Sequence, residues 1–216
     1  MKPKITDIGF YLSKFKTELE LSKFKQYSEE MEFKFSKDIE ELKKKIDNLW
    51  HGLNDYEKEK LKETLLLDHS DLFDIHTKIH RRSTIVSLYI FLESSLNYIC
   101  KRIINKKTYL KKHDAYKGNI INKAILFLEK DANIDFSKSK LEIEFFNSLN
   151  KIRNCIVHYD GIITEYNHRD IIKQIAAETD FLTLDSEREI IIEHIYILEI
   201  IKNIGSFFDN IYNQIY

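Results

Sequence analysis

Residues 85–103 read IVSLYIFLESSLNYICKRI, and this run decides the fold. Its apolar side chains fall at Ile85, Leu88 and Tyr89, Leu92, Leu96, Ile99 and Ile103. Steps of three and four place them on one face of an α-helix, whereas a strand would need alternation. The helix is expected over 71–105, with Asp68-His69-Ser70-Asp71 as the cluster that caps it. Gly52-Leu53-Asn54-Asp55 marks an earlier break. Asn54 or Asp55 is suited to cap a shorter helix ending near Leu67, and Glu57 and Glu59 in its first turn suit the helix dipole.

Upstream, residues 12–51 read as one long helix. Phe35, Ile39, Leu42, Ile46, Leu49 and Leu53 repeat at alternating steps of four and three, a heptad seam that must pack on another helix, in cis or in a partner chain. Downstream, the expectation is a polar loop over 106–119, a helix over 120–130 and a loop over 131–138. A helix over 139–159 follows, with Leu141, Phe145, Leu149, Ile152 and Ile156 as its buried stripe and Gly161 as its C-terminal cap. A short helix over 168–177 and a final helix over 193–215 bracket a small β-hairpin near 181–192, whose turn is Asp185-Ser186-Glu187-Arg188. The whole is an all-α bundle (residues 81–216) carrying a long N-terminal helical arm (1–80).

Composition agrees. One Pro and five Gly in 216 residues leave few helix breakers, and 43% hydrophobic with 32% charged residues describes a folded chain with a charged surface. The net charge of −1 does not announce a nucleic-acid binder, so any such function needs a local patch. Cys100 and Cys155 lack metal-ligand spacing and sit within apolar patterns, which reads as two free thiols in a reducing, cytoplasmic setting. No signal-like apolar run opens the chain, and no stretch reaches the ~18 apolar residues of a membrane span. No cofactor is implied, because neither a Gly-rich phosphate loop nor a paired-aspartate nucleotidyltransferase pattern occurs.

Chemistry concentrates at Arg153-Asn154-Cys155-Ile156-Val157-His158. At about 100° per residue, Asn154 and His158 share a helix face, while Arg153 and His158 stand ~140° apart. They meet on one phosphate if the helix end unwinds, if the long Arg wraps round, or if a second copy faces the first across a two-fold axis. An imidazole can exchange protons near neutral pH, and a guanidinium can brace the oxygens of a reacting phosphate. Arg188 and His194, with five residues between, fall in the same loose range of spacing, but Arg188 falls in the hairpin turn, where Glu187 and Glu189 would pair with it. The plainer reading of Arg153 and His158 is a surface cation and a favourable helix C-terminal cap.

The segment resembles the R-N-x-x-x-H signature of the HEPN superfamily, helical domains common in prokaryotic toxins and antiviral systems. Asn147–Ile152 before it and Tyr159-Asp160-Gly161 after it fit the setting of that signature, and Tyr89–Asn97 is similar to the first core helix of the superfamily. The likeness spans roughly residues 83–213. It implies a homodimer with a composite active site, RNA as substrate, and metal-independent cleavage by Arg153, His158 and Asn154. It also implies support from Glu93, Asn97 and Tyr159, and a toxin or abortive-infection role with an antitoxin or effector-complex partner. One branch carries Tyr two residues after the His. Asp160 occupies that place here, so regulation through that Tyr is not carried over.

Residues 101–123 hold eight Lys and Arg against one acid, Asp114. Lys106, Lys107, Lys111 and Lys112 could neutralise RNA phosphates while Tyr109 and Tyr116 stack on bases, although a Lys-rich solvated loop is the plainer reading. His76 and His80, four apart on a helix, carry a weak zinc signal with no third ligand placed to complete it. A reading of another class is a non-catalytic adaptor that assembles through the 35–53 seam.

Overall fold

The computed structural model describes residues 8–106, 115–186 and 188–215. Two long helices come first: α1 (Ile8–Trp50) and α2 (Asp55–Lys106). At 1.5 Å per residue they extend about 65 and 78 Å. Asn54 starts α2 through a reciprocal cap. Its Oδ1 accepts from the Glu57 backbone N–H, and Glu57 Oε2 accepts from the Asn54 N–H, both at 3.0 Å.

Helix α2 then runs without a break through 68–71 to Lys106, which corrects the expected stop at that cluster. Asp and Ser inside a helix cost only ~0.5 kcal/mol each relative to Ala. Such residues permit a helix start without imposing one.

The chain continues through α3 (Ile120–Lys130), α4 (Lys140–Tyr159), α5 (Arg169–Glu178), β1 (Leu182–Asp185), β2 (Glu189–Ile192) and α6 (His194–Ile215). Every apolar position that marked residues 85–103 is buried. That face of α2 packs with α3, α4 and α6, and each large aliphatic chain taken from water contributes on the order of 2 kcal/mol. Helix α1 lies on α2 and α6. Its Phe10 and Leu21 belong to the same core as Phe207, Phe208 and Ile211. The division drawn between residues 80 and 81 falls inside α2.

The seam of α1 grades outward. Phe35 is buried with its ring 5.7 Å from that of His80, Ile39 and Leu42 are half-buried, and Leu49 is exposed. Its inner end therefore packs in cis. His80 is buried between the rings of Tyr27 and Phe35 while His76 is exposed, so the two do not face one cation.

The hairpin forms as read, antiparallel, with Leu182 opposite Ile192 and Asp185 opposite Glu189. The chain leaving α4 adds to its edge. Ile162 bridges to Glu189, the Ile190 N–H donates to Gly161 O at 2.9 Å, and the Ile163 N–H donates to Arg188 O at 2.7 Å. Among the described residues, no helix is long and apolar enough to cross a membrane.

Candidate active site

Helix α4 presents one face to the core through Phe146, Leu149, Ile152, Cys155 and Ile156. Two positions of the expected stripe are corrected: Leu141 is exposed, and Phe146 rather than Phe145 is fully buried. The first turn of α4 extends past the packed layer, and the face is rotated by about one residue.

At its C-terminus α4 is stopped by two successive left-handed residues, Asp160 (φ 50°) and Gly161 (φ 73°). The backbone N–H groups of both reach Cys155 O. A buried guanidinium holds this end. Arg82 of α2 donates from Nη1 to Asp160 Oδ1 at 3.0 Å and from Nη2 to Glu189 Oε1 at 2.7 Å. Lys78 adds a second cation on Glu189 Oε2 at 2.9 Å. Burial pushes the Glu189 carboxyl up, but the hydrogen bonds from Lys78 and Arg82 outweigh it and hold the group below its ordinary range. Glu189 was read as a partner of Arg188; the structure pairs it with Arg82 and Lys78 instead. A side chain at 161 would collide with Arg82, its Cβ only 2.4 Å from Nη2.

Arg153 stands one and a half turns earlier, half-buried. Its guanidinium lies over the Tyr89 ring at 5.6 Å, and its Nη1 donates to Asn154 Oδ1 at 2.9 Å. Asn154 Nδ2 donates to Asn150 Oδ1 at 3.3 Å, and Asn150 Nδ2 reaches the Tyr89 hydroxyl. This chain fixes which way the Asn154 amide points. The Arg153 Nε is buried and has no hydrogen-bond partner. Burial pushes the Tyr89 hydroxyl up to about 12. Burial likewise raises Glu93, with Arg153 nearby acting in the opposite direction. Glu93 therefore sits in the electrostatic field of Arg153.

His158 is exposed. It lines an open groove of about 480 Å³ with Asn154, Tyr159, Tyr166, Asn167 and His168. Arg153 does not line that groove, so one copy of the chain does not bring guanidinium and imidazole together; Asn154 bonds to Arg153 and lines the groove beside His158. Tyr159 packs on Tyr166 at 5.2 Å between ring centres. Asn97 is half-buried, with Oδ1 lacking a hydrogen-bond partner, one turn beyond Glu93 on α2.

The RNA-binding expectation divides. Lys107, Tyr109, Lys111 and Lys112 lie outside the described residues. Lys106 sits over the Phe10 ring at 5.5 Å, about 20 Å along α2 from Glu93. The Tyr116 hydroxyl donates to Asp131 Oδ2 at 2.8 Å, and that bond raises its pKa. Neither residue lines the groove.

Residues missed from the sequence are Tyr89, Asn150, Tyr166, Asn167, His168, Arg82 and Glu189. One signal was present. Asn150, Asn154 and His158 repeat every fourth residue, a polar stripe on an otherwise amphipathic helix. The scan of protein-family models returns no match, and neither the curated proteins nor the solved structures contain a match to this chain.

Proposed function

We propose that this chain is an endoribonuclease of the HEPN type that cleaves RNA without a metal ion and acts as a toxin or antiviral effector. The observation that carries this reading is the placement of Asn154. It accepts from Arg153 on one side and lines the groove of His158 on the other.

His158 removes the proton of a ribose 2′-hydroxyl, whose oxygen attacks the adjacent phosphorus. The bond to the 5′-oxygen breaks, and that oxygen takes a proton from a second acid or from water. The products are a 2′,3′-cyclic phosphate and a 5′-hydroxyl. Arg153 supplies positive charge to the phosphorane oxygens, for which its planar fork is suited. Because Arg153 and His158 leave α4 in different directions, a homodimer with facing α4 termini completes the site, each copy lending Arg153 to the His158 groove of the other.

The test is incubation of the purified chain with 5′-labelled RNA and analysis of the product ends. Cleavage leaving cyclic phosphate ends, lost in His158→Ala and Arg153→Ala while both variants keep wild-type helicity and melting, supports the reading. Cleavage that survives both changes removes it. A second reading, a non-catalytic adaptor, draws on the apolar side chains exposed along the start of α1, Ile8, Tyr11, Leu12 and Phe15. That reading requires self-association or partner binding to be lost in Phe15→Asp and kept in His158→Ala.

A further inference from the structure

Helix α4 carries more of the groove than its signature. Lys151, Asn154 and His158 occur at i, i+3 and i+7, so they lie along one line of the helix, about 10 Å from first to last. His158 marks one end of that line. At the other, the Lys151 ammonium donates to His168 Nε2 at 3.3 Å. His168 immediately precedes α5, and its side chain makes no capping bond there. Instead its ring is set edge-on against Tyr166, 5.5 Å between centres and 80° between planes, and it lines the same groove as His158.

Among the described residues no carboxylate lies within ion-pair distance of Lys151 or His168; the nearest acid in sequence, Asp170, lies 3.7 Å from Arg169. An ammonium therefore meets, from outside the lining, an imidazole that lines an aromatic-walled groove, and no carboxylate matches the lysine's charge. By contrast, Arg81 is matched by Glu32, and Arg82 by Asp160 and Glu189. A cation held beside tyrosine rings suits a nucleic-acid backbone and its bases.

We propose that Lys151 and His168 form a phosphate-binding subsite that holds the single-stranded RNA phosphate neighbouring the one at His158, with Tyr159 and Tyr166 walling the groove between them. The subsite rests on the ribonuclease reading of the groove and deepens it by naming the substrate as unpaired RNA gripped at two successive phosphates.

The test reads binding rather than turnover. A fluorescent 2′-O-methyl hexanucleotide, which has no free 2′-hydroxyl to attack, is titrated by anisotropy against the full chain over a range of salt concentrations. Lys151→Ala is expected to bind roughly tenfold more weakly, as loss of a charged hydrogen bond implies. Its plot of log affinity against log salt should be shallower by about 0.7, one phosphate contact on a single strand. His168→Asn should weaken binding in the same direction. A hexanucleotide with one uncharged methylphosphonate linkage, moved along the probe, should erase the difference between wild type and Lys151→Ala at a single position.

Affinity and slope unchanged in both variants, or no binding of the probe by the wild-type chain, overturn the subsite. The two readings fail separately. If His158-dependent cleavage occurs while Lys151→Ala and His168→Asn bind as wild type, the subsite falls and the nuclease stands. If no RNA is cut but the probe binds with a Lys151-dependent slope, the nuclease falls and the subsite stands.

Discussion

Two arginines serve the last turns of α4, and they are treated in opposite ways. Arg82, 6% exposed, meets two carboxylates, Asp160 and Glu189, and its environment satisfies its charge. Arg153, also largely enclosed, meets an amide oxygen and the face of a tyrosine. Among the described residues no carboxylate stands within ion-pair distance of it, and Glu93 acts on it only from further away; the Nε of both arginines is buried without a hydrogen-bond partner. Enclosing a cation without a counter-ion costs stability unless something else supplies the negative charge. The first arginine holds the helix end in place. The second makes no such ion pair, and the nuclease proposed above would use its charge on a phosphate. On that proposal, the difference in pairing separates the structural cation from the working one.

The largest expected effect is on the Arg153 side. Replacing Arg153 by Lys keeps the charge but removes the planar fork, and His158→Ala removes the proton acceptor. Each should lower RNA cleavage by ~10²-fold or more, with thermal melting close to wild type. Wild-type cleavage by Arg153→Lys would put the two arginines in the same class.

On the Arg82 side the effect should be on stability. Arg82→Met removes the buried guanidinium that ties half-buried Glu189 to exposed Asp160 and leaves only Lys78 on Glu189, at a cost of about 1–2 kcal/mol, read as a lower urea midpoint at unchanged slope. Gly161→Ala acts on the same lock from the other side. It places a methyl against the Arg82 guanidinium at a positive φ, and should cost about 1–2 kcal/mol. If it leaves the midpoint unchanged, the close approach of the guanidinium to the helix stop has no energetic weight.

The smallest effect is on pH dependence. The folded Glu189 carboxyl is held below its ordinary value, so its contribution is complete above the unfolded value of about 4.3 and is lost as pH falls through the lower folded value. The stability gap between wild type and Glu189→Gln should therefore be constant from pH 7 to pH 5 and close only in stronger acid. A gap that closes near pH 6 would assign the dependence to another group. A gap that widens in acid would reverse the sign of the linkage.

Most of the helices were legible because their signal is periodic and repeated. The face of α2 over 85–103, the extent of α3, α5 and α6, and the hairpin with its turn at 185–188 all follow from spacing and punctuation. The stop at 68–71 did not materialise, because a capping residue lowers the energy of one terminus without raising that of a continuous helix by more than tenths of a kcal/mol. The site was legible only along α4. Asn154 and His158 share a face by their numbering alone, but the approach of His168 from the start of α5, and of Arg82 and Tyr89 from α2, joins residues 17 to 78 positions apart.

The sequence by itself determined that this chain is helical, where most helices begin and end, and that Asn154 and His158 project together while Arg153 does not. These are consequences of backbone periodicity, which acts over a few residues. Only the tertiary structure decided which cations are paired: that Glu189 goes to Arg82 rather than Arg188, and that, among the described residues, Arg153 and Lys151 have no carboxylate at ion-pair distance. Charge pairing depends on distances across the packed core, and a linear order of residues carries no such distance.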